Sequence, residues 1–178
     1  MQACPKAASL SDTRMTILLG MHTLESSPHH ETWMNLALKE AREAGESGDV
    51  PVGAVVVHLQ DSPLVIATAR NQREALNDPT AHAEVLALRE AAEQLGSWRL
   101  NECLLVVTLE PCPMCAGALW ASRIGGVIQG AVNFDAGCLG TLYHLGQDPR
   151  LNHEFPLRAG VLEQECSELL ATYFQQRR

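Results

Sequence analysis

The chain has no apolar run long enough to cross a membrane, no excess of basic charge, no internal repeat and no regular ladder of cysteines. Each absence removes a class of protein. A membrane-spanning helix needs about 20 mostly apolar residues in a row, and Ile17-Leu18-Leu19 is too short even for the apolar core of a signal peptide. A cytoplasmic chain with no membrane partner is therefore expected. Lys and Arg number 13 against 21 Asp and Glu, a formal net charge of -8. The chain as a whole is not a polycation, so a nucleic acid would have to be met by a local basic patch. Six cysteines at irregular spacings make no disulfide framework in a domain of this size. Two of them form a metal-type pair, which favours a reducing compartment.

What remains is ordinary for one globular domain. The chain has 178 residues, 46% hydrophobic and 19% charged, enough to bury a core without staples. Residues 1–30 mix Ser, Thr, Pro and His without a period and are expected to form a mobile extension. Lys6 and Arg14 lend that stretch a faint transit-peptide character, and Met15 or Met21 is an alternative first residue. The folded catalytic domain is expected over 31–178.

Within it the periodicity changes repeatedly. Trp33, Ala37, Ala41 and Ala44 recur at helical spacing over 31–44, and Gly45 and Gly48 end that helix. Val52 to Leu59 is almost unbroken in apolar residues, which predicts a strand covered on both faces. Asp61-Ser62-Pro63 turns the chain into a second, antiparallel strand over 64–69. A helix with Val85, Leu88, Ala92 and Leu95 on one face follows Asp78-Pro79-Thr80 and stops at Gly96. Further strands are expected over 104–109, 127–131 and 155–162, with helices over 113–123 and 163–174 and a Gly-punctuated loop over 133–146. Strands interleaved with helices predict an α/β fold, a three-layer α/β/α sandwich around a five-stranded mixed sheet.

Two motifs carry chemistry. His82-Ala83-Glu84 and Pro111-Cys112-Pro113-Met114-Cys115 both fall where a helix begins. They supply one imidazole, two thiols and a spare carboxylate. Structural zinc sites usually close with four protein ligands, whereas catalytic ones use three and leave a position for water, whose pKa the ion lowers toward neutrality. A carboxylate beside that position can move protons. Residues two apart on a helix flank point to opposite sides, so His82 and Glu84 can share a site only if the helix aims its N-terminal end at the metal. Cys112 and Cys115, three apart, can reach one ion around a helix start. The helix termini would also favour thiolates. Read alone, Cys-x-x-Cys is equally a redox pair or half of a structural zinc site with Cys103, Cys138, His144 or His153 as the fourth ligand.

Both motifs together resemble the zinc-dependent nucleobase deaminases. That resemblance implies that His82, Cys112 and Cys115 hold Zn2+, one ion per subunit, and that Glu84 is the catalytic proton shuttle. From Trp33 to Arg178 the chain resembles the bacterial tRNA-specific adenosine deaminases of the cytidine deaminase-like fold. The matching pieces are Val50-Pro51-Val52-Gly53-Ala54-Val55, Asn71, Asp78-Pro79-Thr80, Thr108-Leu109-Glu110-Pro111-Cys112, Ser122-Arg123-Ile124-Gly125, Gly140-Thr141-Leu142, Asn152-His153 and Tyr173-Phe174 with the basic residues after them. The resemblance implies deamination of adenosine to inosine in a tRNA anticodon loop by a homodimer. It places Asn71 on the flipped base, with the backbone at Ala83 and the region of Val52 lining the base pocket. From the residues alone, Asn71 is equally a loop cap.

Arg70, Arg73, Arg150, Arg158, Arg177 and Arg178 can each bind phosphate or sit in solvent, and Trp120 reads as core or dimer contact. Pro113 is similar to guanine deaminases, which show the same Pro-Cys-Pro-Met-Cys run. Cys138 and Asp148 also depart from the RNA-acting pattern, so a free-base or nucleotide deaminase is the second expectation. A zinc-stabilised RNA-binding subunit without activity is the third, and Glu84 argues against it.

Overall fold

The structure, a computed structural model, describes residues 24–60 and 62–177. The expected extension thus falls largely outside the described residues, as do Asp61 and Arg178. The first helix among the described residues, α1 (Pro28–Glu46), begins earlier than its apolar period suggested. Ser27 has extended backbone angles and its side chain accepts from the His29 N–H, while Pro28 occupies the first turn where its missing N–H costs nothing. Residues 28–30 therefore belong to the folded domain, and His30 is buried.

Strand β1 (Gly53–His58) pairs antiparallel with β2 (Leu64–Arg70), as the hairpin reading expects. A one-turn helix, α2 (Arg73–Leu76), and then α3 (Ala83–Leu95) lead to β3 (Cys103–Leu109), α4 (Pro113–Ala121) and β4 (Gly126–Ala131). A short 3-10 turn over Leu145–Gln147, β5 (Leu157–Arg158) and α5 (Glu163–Gln175) complete the chain. The sheet order is β2-β1-β3-β4-β5. β1 is antiparallel to both its neighbours, while β3, β4 and β5 run parallel, so the sheet is mixed and five-stranded.

Helices cover both faces. Ala54 and Val56 of β1 join Leu105, Ala87, Leu88, Ala116 and Leu119 in one core under α3 and α4. Val55 and Val57 point the other way, into a second core with Trp33, Met34, Leu38, Val106, Ile128 and Cys166 under α1 and α5. That alternation is why β1 is apolar from Ala54 to Val57. At Gly53, where β1 starts, a Cβ would collide with Ala37 O and Ala41 N of α1. Only glycine lets the helix lie that close to the strand. Among the described residues no helix is long and apolar enough to cross a membrane.

Two expectations need correction. β5 is two residues long, not the run 155–162. Pro156 has no N–H to give a ladder, and Gly160 adopts φ +77, so the extended stretch is cut at both ends. Phe155 is nevertheless buried, with its N–H on Gly146 O at 2.9 Å. The second correction is α2, which no local pattern announced. Buried Asp49 makes it: its carboxylate accepts from the N–H groups of Glu74 and Ala75 at 3.2–3.3 Å. The loop that carries Asp49 is itself tied to the end of the chain, because the Tyr173 hydroxyl donates to Gly48 O at 2.8 Å.

Candidate active site

α3 and α4 both start at the same edge of the sheet, and their capping residues meet there. His82 caps α3 with φ -77 and ψ 148, and Cys112 caps α4 with φ -73 and ψ 174. Neither residue is helical, so neither is bound by helical spacing, and the obstacle to His82 and Glu84 sharing one site disappears. Pro113 fixes the first turn of α4 and Cys115 follows on it.

His82 Nδ1 lies 3.5 Å from Cys115 Sγ and 3.8 Å from Cys112 Sγ, and the two sulfurs are 3.6 Å apart. A tetrahedral zinc with Zn–S of about 2.3 Å and Zn–N of about 2.0 Å requires sulfur–sulfur and sulfur–nitrogen separations of about 3.8 and about 3.5 Å. The three side chains fit that ion. Among the described residues no other His, Cys, Asp or Glu joins the group. Cys103 is buried at the start of β3, Cys138 bonds Ala136 O, and His153 Nε2 sits 2.9 Å from Ile124 O. With three protein ligands, one tetrahedral position is left for a small molecule.

The three groups shift one another's protonation in opposite directions. The hydrogen bond from Cys115, together with His82, holds the Cys112 thiol down to about 4. The same contact raises Cys115, with burial adding to it, and the Cys112 bond raises His82. A bound ion would displace the protons shared among the three. Glu84, in the first turn of α3, is almost fully buried, and burial raises its carboxyl pKa. Its Oε2 has no hydrogen-bond partner. A buried, unpartnered carboxylate oxygen is costly and rare. Glu84 lines the same cavity as His82 and Cys112.

That cavity holds about 120 Å³. This is on the order of four waters' share of liquid, room for one small flat ring. Val52, Asn71, Arg73 and Asn133 are also in its wall. Asn71 caps a helix and also stands in the cavity wall. Its Oδ1 accepts from the Ala83 N–H at 2.9 Å, capping α3. Its amide nitrogen has no hydrogen-bond partner among the described residues, and the side chain lines the cavity. Ala83 is fully buried, with its N–H taken by Asn71.

The arginines separate clearly. Arg70 pairs with Glu40 and Glu43 at 3.0 and 2.7 Å, Arg150 with Asp148 at 2.6 Å, and Arg177 lies 3.7 Å over the Tyr173 ring. Arg158 keeps a buried Nε without a partner, and Arg73 stands in the cavity wall. Trp120 is half-buried, with Arg123 5.1 Å above its ring. Two wall residues had no role in the sequence reading. Glu110 is buried and accepts from Asn133 N, Leu139 N and Thr141 N at 2.9–3.1 Å and from the Thr141 hydroxyl. Burial pushes its carboxyl pKa up, but those hydrogen bonds outweigh burial and the net shift is down. Asn133 is the first residue of the loop so anchored.

Comparisons with known proteins agree with this geometry. The family model of the cytidine and deoxycytidylate deaminase zinc-binding region matches residues 27–131. The tRNA-specific adenosine deaminase of Bacillus subtilis (strain 168) is 47% identical over 148 residues, covering 83% of this chain and 90% of that protein. A structure from work on A-to-I editing by tRNA:A34 deaminases at the wobble position is 42% identical with a TM-score of 0.73, covering 78% of this chain and 99% of its own. A guanine deaminase from Bacillus subtilis is 34% identical with a TM-score of 0.55, covering 80% of this chain and 92% of its own.

Proposed function

Since the chain belongs to the cytidine and deoxycytidylate deaminase zinc-binding family, we propose that it hydrolyses adenosine to inosine at the first anticodon (wobble) position of tRNA and releases ammonia. The observation that carries this reading is the unpartnered, buried Glu84 Oε2 beside a three-ligand group of zinc geometry. His82, Cys112 and Cys115 would hold one Zn2+ per subunit. Bound there, zinc supplies a water of lowered pKa as the nucleophile.

The remaining work falls to the protein. Deamination replaces the exocyclic amine of the base by an oxygen from water. Both protons of that water pass through Glu84 Oε2, the first to the ring nitrogen and the second to the departing amine. Burial suits Glu84 to this, because a raised pKa lets the carboxyl hold a proton between the two transfers. Asn71 orients the base by offering its amide N–H2 to an acceptor on the ring. Its own position is fixed through Ala83. Val52 closes the wall against water, and Arg73 is the cation at the cavity for an RNA phosphate.

A homodimer and a cytoplasmic setting complete the reading. A second cavity, of about 300 Å³, lies between α3 and α4, lined by Leu88, Ala92, Leu100, Ala118 and Trp98. Trp98 is 54% exposed there. A second copy of the chain covering that apolar groove accounts for it, so Trp98→Glu should give monomers on sedimentation. All five described cysteines are free thiols, which suits a reducing compartment.

A free-base deaminase acting on guanine is the second reading, favoured by Pro113 and the likeness to the Bacillus subtilis guanine deaminase. Incubating the purified chain with anticodon stem–loop RNA and with free guanine separates the two. Inosine in the RNA is expected; xanthine alone would refute the RNA reading.

A further inference from the structure

The loop from Asn133 to Gln147 has an unusual division of polarity. Its inward side is pinned by a buried charge. Glu110 takes hydrogen bonds from Asn133, Leu139 and Thr141. A side chain at Gly137 would collide with the Glu110 carboxylate. Asn133 Oδ1 in turn accepts from the N–H groups of Asp135 and Ala136 at 3.3 and 3.0 Å, which closes a tight turn around residue 134.

The outward side carries three large apolar or aromatic side chains. Phe134 is 77% exposed, more than any other large hydrophobic side chain among the described residues, and Leu142 and Tyr143 are more than half exposed. A phenyl ring left in water on a loop this well anchored is not a packing accident of a floppy segment. It is also next to the chemistry. Asn133 lines the cavity, and consecutive Cα atoms are about 3.8 Å apart.

The charges on the loop decide what can lie on that ring. Between Asn133 and Gln147 there is no Lys or Arg, and Asp135 follows Phe134 directly. On the loop itself a phosphate would meet no Lys or Arg and would meet the Asp135 carboxylate. The face of an unstacked base would meet an aromatic ring. Single-stranded RNA is held in this way, with splayed bases stacked on Phe, Tyr or Trp. We propose that Phe134 is the stacking platform for a base flanking the one deaminated, so that the Glu110-anchored loop selects an RNA loop over a free base. This deepens the RNA reading above and rests on it.

The test measures kcat/KM on an anticodon stem–loop RNA and on the same RNA with one abasic nucleotide at each flanking position in turn. The proteins are the zinc-loaded wild type, Phe134→Ala and Phe134→Tyr. Removing one base–aromatic stack costs on the order of 5- to 100-fold. Phe134→Ala should lose that factor, mostly in KM, and Phe134→Tyr should recover most of it. At one position the abasic substitution should cost the wild type the same factor and cost Phe134→Ala nothing further. Phe134→Ala within twofold of the wild type on the intact RNA would overturn the proposal, and so would equal abasic penalties in both proteins. A change confined to the protein's oligomeric state would overturn it as well. Failure of the RNA reading itself looks different, because the wild type then gives no inosine in any RNA.

Discussion

Asn71 offers the sharpest perturbation, because its two ends do different jobs. Its Oδ1 holds the Ala83 N–H at 2.9 Å in a buried setting, while its amide nitrogen is left toward the cavity. Asn71→Ala removes both. The first loss orphans a buried backbone donor at the start of α3, a cost of about 1–3 kcal/mol that already contains the loss of the cap. With a urea slope of about 2 kcal/mol/M, a cost of about 2 kcal/mol moves the midpoint down by about 1 M. The second loss leaves an acceptor of the bound base unpaired, again about 2 kcal/mol, or about 30-fold in kcat/KM. Asn71→Asp separates the two. It keeps an oxygen for Ala83 and places negative charge at a helix N-terminus, where charge of that sign is favoured. It also turns the donor into an acceptor beside Glu84. Its stability loss should be smaller than that of the alanine variant, and its loss of kcat/KM at least as large. Urea unfolding and single-turnover deamination of stem–loop RNA read the two effects. Activity within threefold of the wild type in Asn71→Asp would refute the base-orienting role, and an unchanged midpoint in Asn71→Ala would refute the cap.

Further predictions concern the buried carboxylates of Glu84 and Glu110 and two buried thiols. Glu84→Gln should keep its zinc, measured by elemental analysis, and lose deamination by more than about 100-fold; turnover near the wild-type rate would remove Glu84 from the mechanism. Glu110→Ala leaves three backbone N–H groups and the Thr141 hydroxyl without their acceptor, so stability should fall by about 3–5 kcal/mol in urea unfolding, with Glu110→Gln less affected; a loss under about 1 kcal/mol would contradict the anchoring role. Burial raises the thiols of Cys103 and Cys166 to about 11, against about 8.5 when unfolded. The folded state then binds more protons between those values, so stability is full below about pH 8.5 and declines toward pH 11, by roughly 2–3 kcal/mol per thiol. Urea midpoints at pH 8, 9 and 10 should show the decline, and the Cys103→Ala, Cys166→Ala double variant should show less of it; equal slopes in the two proteins would refute the attribution.

The metal group was legible in the sequence because its chemistry is tied to residue types at helix starts, and His82, Cys112 and Cys115 meet as the motifs imply. β1 was legible for a similar reason: a strand covered on both faces must be apolar at every position, and Val55 and Val56 point into different cores. What stayed hidden depends on contacts far apart in the chain. α2 exists because Asp49 reaches Glu74 and Ala75, and nothing in Arg73–Leu76 itself announces a turn of helix. Glu110 was visible only as the residue before Pro111-Cys112, since its partners lie at 133, 139 and 141. The backbone at Ala83 was expected at the base pocket only through the family resemblance, since nothing local marks it. In the structure its N–H goes to Asn71, because the first N–H groups of a helix need acceptors.

One hydroxyl near the carboxyl terminus has a practical bearing on how the protein is handled. Tyr173 grips Gly48 O, and the neighbouring Asp49, Val50 and Val52 hold α2 or form the cavity wall. A premature stop ahead of that tyrosine would therefore loosen the cavity rim from behind, without altering any residue in its wall. A shortened polypeptide should be compared with the full one before a slow rate is blamed on the chemistry.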